Sequence, residues 1–501
     1  MGPEILVDKI IQEKCGVVAV YNETPKANLV RALAIAYRLQ HRGQHGAGLA
    51  IRTKNKTLRY KGAGLLREVF TPEIIKQFNK TARWIMVHNR YGTYGGYQVD
   101  NLQPCISLSS KNVPITVIQN GEFTGVKKMR KQLKDKRGIT DDTSDTYIFT
   151  RLLAEAQGDN WDEKVISLIN QSKGAFSLVI GIEDSLYVIR DPLGIRPLLI
   201  GKTRDGLAVA SETSGLERVA ATKVREVGRG EIIKIHPKGI TTLQKGLDGE
   251  GNFCDFEWAY FSYPNSLSTT HENDNHSGDS RHWLSFSRFR ERCGEMLAAE
   301  AKIPHASFVI GVPDSGVYVA MGYANKTGIP YKQFIIRDHF NESGLHRLFM
   351  QDDQKDKISK FILKKLTLNP DRMVWKNKIV VVGDDSVVRG NVSGQITRAI
   401  FALGAKQVHW IIGFPPVAHP CHLGVSMRTG EELIAYRFKS DPKKIAKAIG
   451  ATSVHYVSPQ GFIQARKLTS DVKVPKDPRM IFLENGGCAG CVTGIYPVAK
   501  E

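Results

Sequence analysis

Short apolar runs alternate with turns through the first half of the chain. Residues 84–87 (Trp-Ile-Met-Val), 176–180 (Phe-Ser-Leu-Val-Ile) and 185–189 (Ser-Leu-Tyr-Val-Ile) read as strands. A further apolar run, Gly16-Val17-Val18-Ala19-Val20, follows Cys15 at once. Helical periodicity interrupts the strands at residues 28–39 and 145–157. This pattern predicts stacked sheets with helices outside them. A polar stretch rich in Ser, Thr, Asn and His, residues 265–280, then breaks the composition and reads as a linker. Its His271 and His276 read as loop residues rather than metal ligands. Beyond it the rhythm changes. The apolar runs 308–312 and 379–382 each lead into a glycine-containing turn and a helical pattern. That is the rhythm of a parallel α/β sheet, whose ligands bind at the carboxyl ends of the strands.

Bulk properties narrow the function classes. With 501 residues the chain accommodates two or three domains with full cores. No run of about 18 apolar residues occurs, which argues against a membrane span. Residues 1–14 are short and charged and lack the apolar centre of a secretory signal. Together with 7 cysteines in no dense framework, this points to a reducing, cytoplasmic setting. Lys+Arg is 70 against 50 Asp+Glu, a net charge of +20, which favours anionic partners, whether nucleotides, phosphorylated sugars or nucleic acid. The basic clusters at 127–131 and 364–365 read as solvated faces. No zinc finger, aromatic RNA-binding signature or basic zipper supports a nucleic-acid partner.

Three places carry candidate chemistry. Cys15 opens a strand, and removal of residues 1–14 would free its α-amine. Downstream lie Gln40-His41-Arg42-Gly43-Gln44, His88-Asn89-Arg90-Tyr91-Gly92-Thr93 and Asn120-Gly121, turns suited to meet such a nucleophile. Residues 380–390 form a strand followed by Asp384, Asp385 and a turn ending at Gly390. Adjacent carboxylates at a strand end can hold sugar hydroxyls or Mg²⁺, and backbone N–H groups near Gly390 can cradle a phosphate. Val312-Pro313-Asp314-Ser315-Gly316 is a second strand-end turn suited to a pyrophosphate. Finally, Cys488-Ala489-Gly490-Cys491 fits either a redox pair or half a zinc site.

The string 380–390 resembles the phosphoribosyl pyrophosphate (PRPP) loop of type I phosphoribosyltransferases. The two halves together resemble the amidophosphoribosyltransferase family, nearly from Cys15 to the C-terminus. The resemblance rests on residues 40–44, on Asp191-Pro192-Leu193-Gly194-Ile195-Arg196-Pro197, on Ala210-Ser211-Glu212-Thr213 and on the hinge Phe256-Glu257-Trp258-Ala259-Tyr260-Phe261-Ser262. It implies an α+β and α/β chain: an N-terminal-nucleophile αββα glutaminase sandwich, residues 15–264, and a type I phosphoribosyltransferase parallel-sheet domain, residues 283–470. A propeptide (1–14), a polar insertion (265–282) and a C-terminal segment (471–501) complete the organisation.

The resemblance also implies roles. Cys15 is the nucleophile, with Asn120 and Gly121 as the oxyanion hole. Arg90 and Asp145 bind the glutamine carboxylate and amine. Asp314, Ser315, Asp384, Asp385, Ser386, Arg389, Gly390, Asn391 and Ser393 bind PRPP with Mg²⁺ near the Asp384–Asp385 pair. Arg347, in a closing loop of residues 336–354, covers the substrate. Cys254, Cys421, Cys488 and Cys491 match the ligands of the subgroup that holds a [4Fe–4S] cluster, and a Cys₄ zinc site has the same ligand count. Cys105 and Cys293 match no functional position and read as core. The family further implies a homotetramer with purine-nucleotide feedback. The sequence departs from the family at Asn391-Val392 (usually Thr-Thr), at Gln119 and Glu122 (usually His and Asn) and at Lys357 (usually Arg). A diverged enzyme aminating another phosphosugar, and a non-catalytic nucleotide sensor that binds nucleic acid through its basic surface, are the alternatives.

Overall fold

The computed structural model describes residues 15–91, 101–269, 283–337, 366–425, 427 and 429–499. Residues 1–14, read above as a propeptide, and Arg347, Lys357, the 364–365 lysines, His271 and His276 lie outside the described residues. Two antiparallel sheets carry the first half. The first runs, in spatial order, Thr222–Glu226, Leu199–Thr203, Gly206–Ala210, Gly16–Ala27, Thr81–Arg90, Gly46–Arg52 and Thr57–Ala63. The second runs Gly239–Gln244, Ile232–His236, Ser185–Arg190, Lys173–Ile182, Pro114–Thr124 and Cys105–Leu108.

Strand alternation sorts the side chains between layers. Along Gly16–Ala27, Val17, Ala19 and Tyr21 point between the sheets, where they meet Ile118, Val179 and Val188. Val18 and Val20 point the other way, onto Leu29, Ala32, Leu33 and Ala36 of the helix Leu29–Arg38. On the far sheet Val117, Leu178 and Ile180 pack under the helices Asp145–Glu155 and Trp161–Gln171. Ser144 starts the first of these helices by accepting a hydrogen bond from Tyr147 N at 3.3 Å. The result is the αββα sandwich expected from the pattern.

The second half is built on a four-stranded parallel sheet, Phe308–Gly311, Ile379–Asp384, Gln407–Ile412 and Ser453–Tyr456, in that spatial order. Val309, Val381 and Ile411 face one helical layer, which includes Phe289, Val319 and Tyr323. Ile310, Val380, Val382 and Trp410 face the other, with Ile396, Ile400 and Ile445. Both faces are covered, so these strands read as unbroken apolar runs rather than alternating ones. Cys105 and Cys293 are buried in the core as expected. Among the described residues no helix is long and apolar enough to cross a membrane.

Of the polar stretch 265–282, residues 265–269 are described. Leu267–Thr269 pairs antiparallel with Trp283–Ser285. Leu267 N donates to Thr213 Oγ1 at 2.8 Å and Thr269 N to Glu226 Oε1 at 3.0 Å. The start of the polar stretch is therefore bonded to the sandwich, because the Leu267 and Thr269 N–H groups and the Ser268 hydroxyl find acceptors on Thr213 and Glu226. The turn between the halves is the short helix Glu257–Phe261, whose Glu257, Trp258 and Phe261 are buried.

Candidate active sites

Cys15 is buried at the head of Gly16–Ala27. The neighbouring strand Thr81–Arg90 ends beside it, with Gly16 opposite Asn89. Gly43 lets the turn 40–44 close on this strand end: a Cβ there would stand 2.4 Å from Asn89 C. Asn89 Nδ2 donates to Ala36 O at 2.8 Å and locks the strand end under its helix. His88, opposite Val17, reaches across to the second sheet, its Nε2 3.0 Å from Gln119 O. Burial, aided by the Arg90 charge, pushes His88 down to about 3. The ring is thus neutral, and because a carbonyl only accepts, Nε2 carries its proton.

That bond brings Asn120 and Gly121 to the same end of the sandwich. Asn120 is buried, and among the described residues its Nδ2 has no hydrogen-bond partner. An orphaned buried amide donor is uncommon, since it forfeits its hydration without replacement. Gly121 has φ 121°, and a Cβ on it would collide with Ala175 O at 1.9 Å. Only glycine fits there.

Arg90 and Asp145 also converge. Burial raises the Asp145 carboxyl above its usual range, opposed by the Phe123 N–H bond and by the Arg90 charge. A closed ring fixes this carboxylate. Gln119 Nε2 donates to Asp145 Oδ2 at 3.3 Å, Thr146 Oγ1 to Gln119 Oε1 at 2.7 Å, and Gln103 Nε2 to Thr146 Oγ1 at 3.1 Å. Gln119, which departs from the family pattern, thus orients Asp145. Gln103 was not singled out in the sequence, where nothing but its own polarity marks it.

In the second half the two strand-end turns meet. Gly311 lies opposite Gly383, and Val312 N donates to Gly383 O at 2.9 Å. Gly316 rests on Asp384, with room for no Cβ: it would stand 2.7 Å from Asp384 Cα. Ser315 Oγ and Ser386 Oγ both donate to the Asp385 carboxylate. Burial and then the Asp385 charge push the Asp384 carboxyl well above the usual range. Gly390, at φ 87°, caps the helix Asn391–Ala402, and Ser393 Oγ donates to Gly390 O at 3.1 Å. Asn391 is exposed at the first turn, whereas Val392 packs onto the sheet's core. Asp314 pairs with Arg337 at 2.6 Å. Arg389 is paired with Glu432. A phosphate reaching Arg389 therefore competes with a carboxylate, a contact the motif alone did not announce.

The comparisons with known proteins bear on the whole chain. A model described as a glutamine amidotransferase domain matches residues 97–218. The amidophosphoribosyltransferase of Synechococcus elongatus is 33% identical over 497 residues, covering 97% of this chain and 92% of that protein. That of Bacillus subtilis (strain 168) is 33% identical over 492 residues, covering 98% and 95%. The chain belongs to the amidophosphoribosyltransferase family. Among solved structures, the B. subtilis glutamine PRPP amidotransferase complexed with ADP and GMP superposes with a TM-score of 0.81 at 31% identity, over 97% of this chain and 98% of that one.

In this amidophosphoribosyltransferase the segments that carry the resemblance meet in one buried ionic network. Arg42, fully buried, donates from Nε to Cys15 O at 3.2 Å, from Nη1 to Glu212 at 2.6 Å and from Nη2 to Glu257 at 2.8 Å. Arg196 pairs with the same Glu257 at 3.4 Å. Burial alone would raise both carboxyls. The cations outweigh it, His41 and Arg42 for Glu212 and chiefly Arg42 for Glu257, and both are held below the usual range. Glu212 also accepts Tyr263 N and Ser266 Oγ, so the sandwich grips the turn into the second half.

The four candidate cluster cysteines come together as well. Cys254 and Cys488 are register partners on parallel strands. Ala418 N and His419 N both donate to Cys491 O at 2.9 Å, which draws the Cys421 segment alongside. Burial, the largest cause, and the charges of the other three push the Cys491 thiol well up, and Cys254 rises to about 12. Arg196 lies within electrostatic reach of Cys254 and Cys421, and among the described residues its buried Nε has no hydrogen-bond partner.

Proposed function

We propose that this chain converts PRPP, glutamine and water to 5-phosphoribosylamine, glutamate and pyrophosphate, the amination that opens purine biosynthesis. The unpartnered Asn120 Nδ2, held where the Cys15 strand begins, carries the glutaminase half of this reading. Once the α-amine of Cys15 is free, its pKa of about 7.7–8.0 suits it to take the thiol proton. The sulfur attacks the side-chain carbonyl carbon of glutamine. The carbonyl electrons move to oxygen, which Asn120 Nδ2 and Gly121 N–H receive. Ammonia departs with the amine's proton, and water hydrolyses the thioester to glutamate. Arg90 and Asp145 orient the glutamine carboxylate and amine.

Ammonia then adds at C1 of PRPP as pyrophosphate leaves. Asp384 and Asp385 hold the ribose hydroxyls. The turn from Ser386 to Ser393 receives the 5′-phosphate, and Asp314 and Ser315 lie on the pyrophosphate side. The raised Asp384 carboxyl beside Asp385 is a donor pair that a hard cation relieves, so the residues fit Mg²⁺. When bound, Mg²⁺ would neutralise pyrophosphate charge. AMP and GMP are expected to lower turnover, and light scattering to report a tetramer.

The four cysteines match the ligand positions of the cluster-bearing subgroup, and on that ground we assign them a [4Fe–4S] cluster rather than a Cys₄ zinc site, which has the same ligand count. The orphaned Arg196 Nε answers the anionic charge of such a group. When bound, the cluster would cross-link Cys254, Cys421, Cys488 and Cys491 without entering the reaction. Anaerobically purified protein is expected to hold about four irons per chain, lost on Cys488→Ser. Stoichiometric zinc would contradict the assignment.

Asn120→Ala tests the oxyanion hole. Glutamine-dependent kcat is expected to fall about 10²–10³-fold, with ammonia-dependent turnover retained. Unchanged glutamine-dependent kcat would remove Asn120 from the mechanism.

A further inference from the structure

Arg196 holds positions around the oxyanion donors from two sides. Asp191, at the head of its segment, accepts Phe176 N at 3.2 Å, Ile195 N at 3.1 Å and Arg196 N at 3.4 Å. This fastens the segment to the strand Lys173–Ile182, where Ser177 lies opposite Asn120 and Phe176 opposite Gly121. Ser177 Oγ donates to Arg196 O at 3.1 Å. The main chain of Arg196 therefore braces the residue facing Asn120. Its side chain braces Gly121 by a different route. Nη2 donates to Leu423 O at 2.6 Å, and the next residue, Gly424, sits against the oxyanion turn. A Cβ on Gly424 would stand 3.0 Å from Gly121 Cα and 3.1 Å from Arg196 Nη2. The same loop is tied to the cysteines, because Leu423 N donates to Cys421 Sγ at 3.4 Å.

We propose that Arg196 and the Leu423–Gly424 turn are positioning elements for the oxyanion glycine, so that the segment carrying Cys421 holds the glutaminase site in working geometry. The inference rests on the glutaminase reading of Cys15, Asn120 and Gly121. It gives buried Arg196 a purpose that neither substrate supplies. Arg42 completes the frame, since the Glu257 it shares with Arg196 connects the Cys15 carbonyl to the oxyanion turn. An oxyanion donor displaced by a fraction of its bond length loses much of its effect in the transition state while ground-state binding changes little.

The test uses Gly424→Ala in the full-length enzyme. Its probes are glutamate and the γ-aldehyde analogue of glutamine. The aldehyde adds the Cys15 sulfur at its carbonyl carbon, and the carbonyl oxygen becomes the oxyanion. Glutamate makes no such adduct. The variant is expected to bind the aldehyde at least about tenfold more weakly and to lose glutamine-dependent kcat in parallel. Its affinity for glutamate, its ammonia-dependent turnover and its metal content are expected to stay at the wild-type level. Unchanged aldehyde affinity, or equal losses for aldehyde and glutamate, would overturn the proposal. Should Gly424→Ala lose metal or ammonia-dependent turnover, Arg196→Lys is read in the same way. It keeps the charge but not the fork that reaches Leu423 O: a selective aldehyde loss supports the proposal and an even loss overturns it. Wild-type enzyme that hydrolyses no glutamine would instead defeat the underlying reading.

Discussion

The Cys15→Ala variant is expected to lose glutamine-dependent turnover by at least about 10³-fold and to keep ammonia-dependent turnover. The two activities separate because their groups stand on different scaffolds. Cys15, Asn120 and Gly121 occupy one end of the antiparallel sandwich, whereas Asp384 and Asp385 end a strand of the parallel sheet. Steady-state assays with glutamine and with ammonium, run side by side, read the difference. Loss of both activities in a folded, metal-replete protein would give Cys15 some other role. The same preparations address the amine. Active wild-type enzyme is expected to show an intact mass that begins at Cys15, because a blocked amine cannot accept the thiol proton.

The second large effect is on stability. Arg42→Met leaves Glu257 buried without its main cation and Glu212 without one of its two, and is expected to destabilise the fold by about 3–5 kcal/mol. The pH dependence has a definite sign. In the wild type both carboxyls titrate below the ordinary glutamate value of about 4.3. The stability they contribute is therefore present above that value and is lost as pH falls through their depressed folded values. In Arg42→Met, burial is opposed by His41 at Glu212 and by Arg196 at Glu257 without the help of Arg42, so both carboxyls titrate higher than in the wild type. The deficit of the variant is then greatest near neutral pH and shrinks as acid protonates the carboxyls. Urea unfolding midpoints for both proteins at pH 7.5 and at pH 5 measure this. A deficit that grows on acidification would contradict the network as described.

Much of this was readable before any coordinates. The apolar run 16–20 after Cys15 stood out in the sequence as a buried strand, and the structure sends Val17 and Ala19 to one face of the sheet and Val18 and Val20 to the other, a division that five apolar residues in a row do not announce. Unbroken apolar runs announced the doubly covered parallel strands, and Asp384 and Asp385 stood out because they end one of them. The buried ion pairs were not readable. Arg42, Glu212, Glu257 and Arg196 lie in four separate segments, and a charged residue between apolar neighbours looks the same whether it faces water or a partner. Their positions were noticed only as matching strings. The hairpin formed by Leu267–Thr269 and Trp283–Ser285 was hidden by polarity, because the acceptors that tie it down belong to Thr213 and Glu226. The Arg389–Glu432 pair escaped for the same reason: a loop motif names its cations and not their distant partners.

The central claim is that one chain hydrolyses glutamine at Cys15 and spends the ammonia on PRPP. Pyrophosphate and glutamate released by the purified enzyme, measured together with PRPP and glutamine present, test it most directly. The account predicts equal amounts of the two products, with pyrophosphate still released when ammonium replaces glutamine. Glutamate without pyrophosphate, or amination of a different phosphosugar with PRPP left untouched, would contradict it.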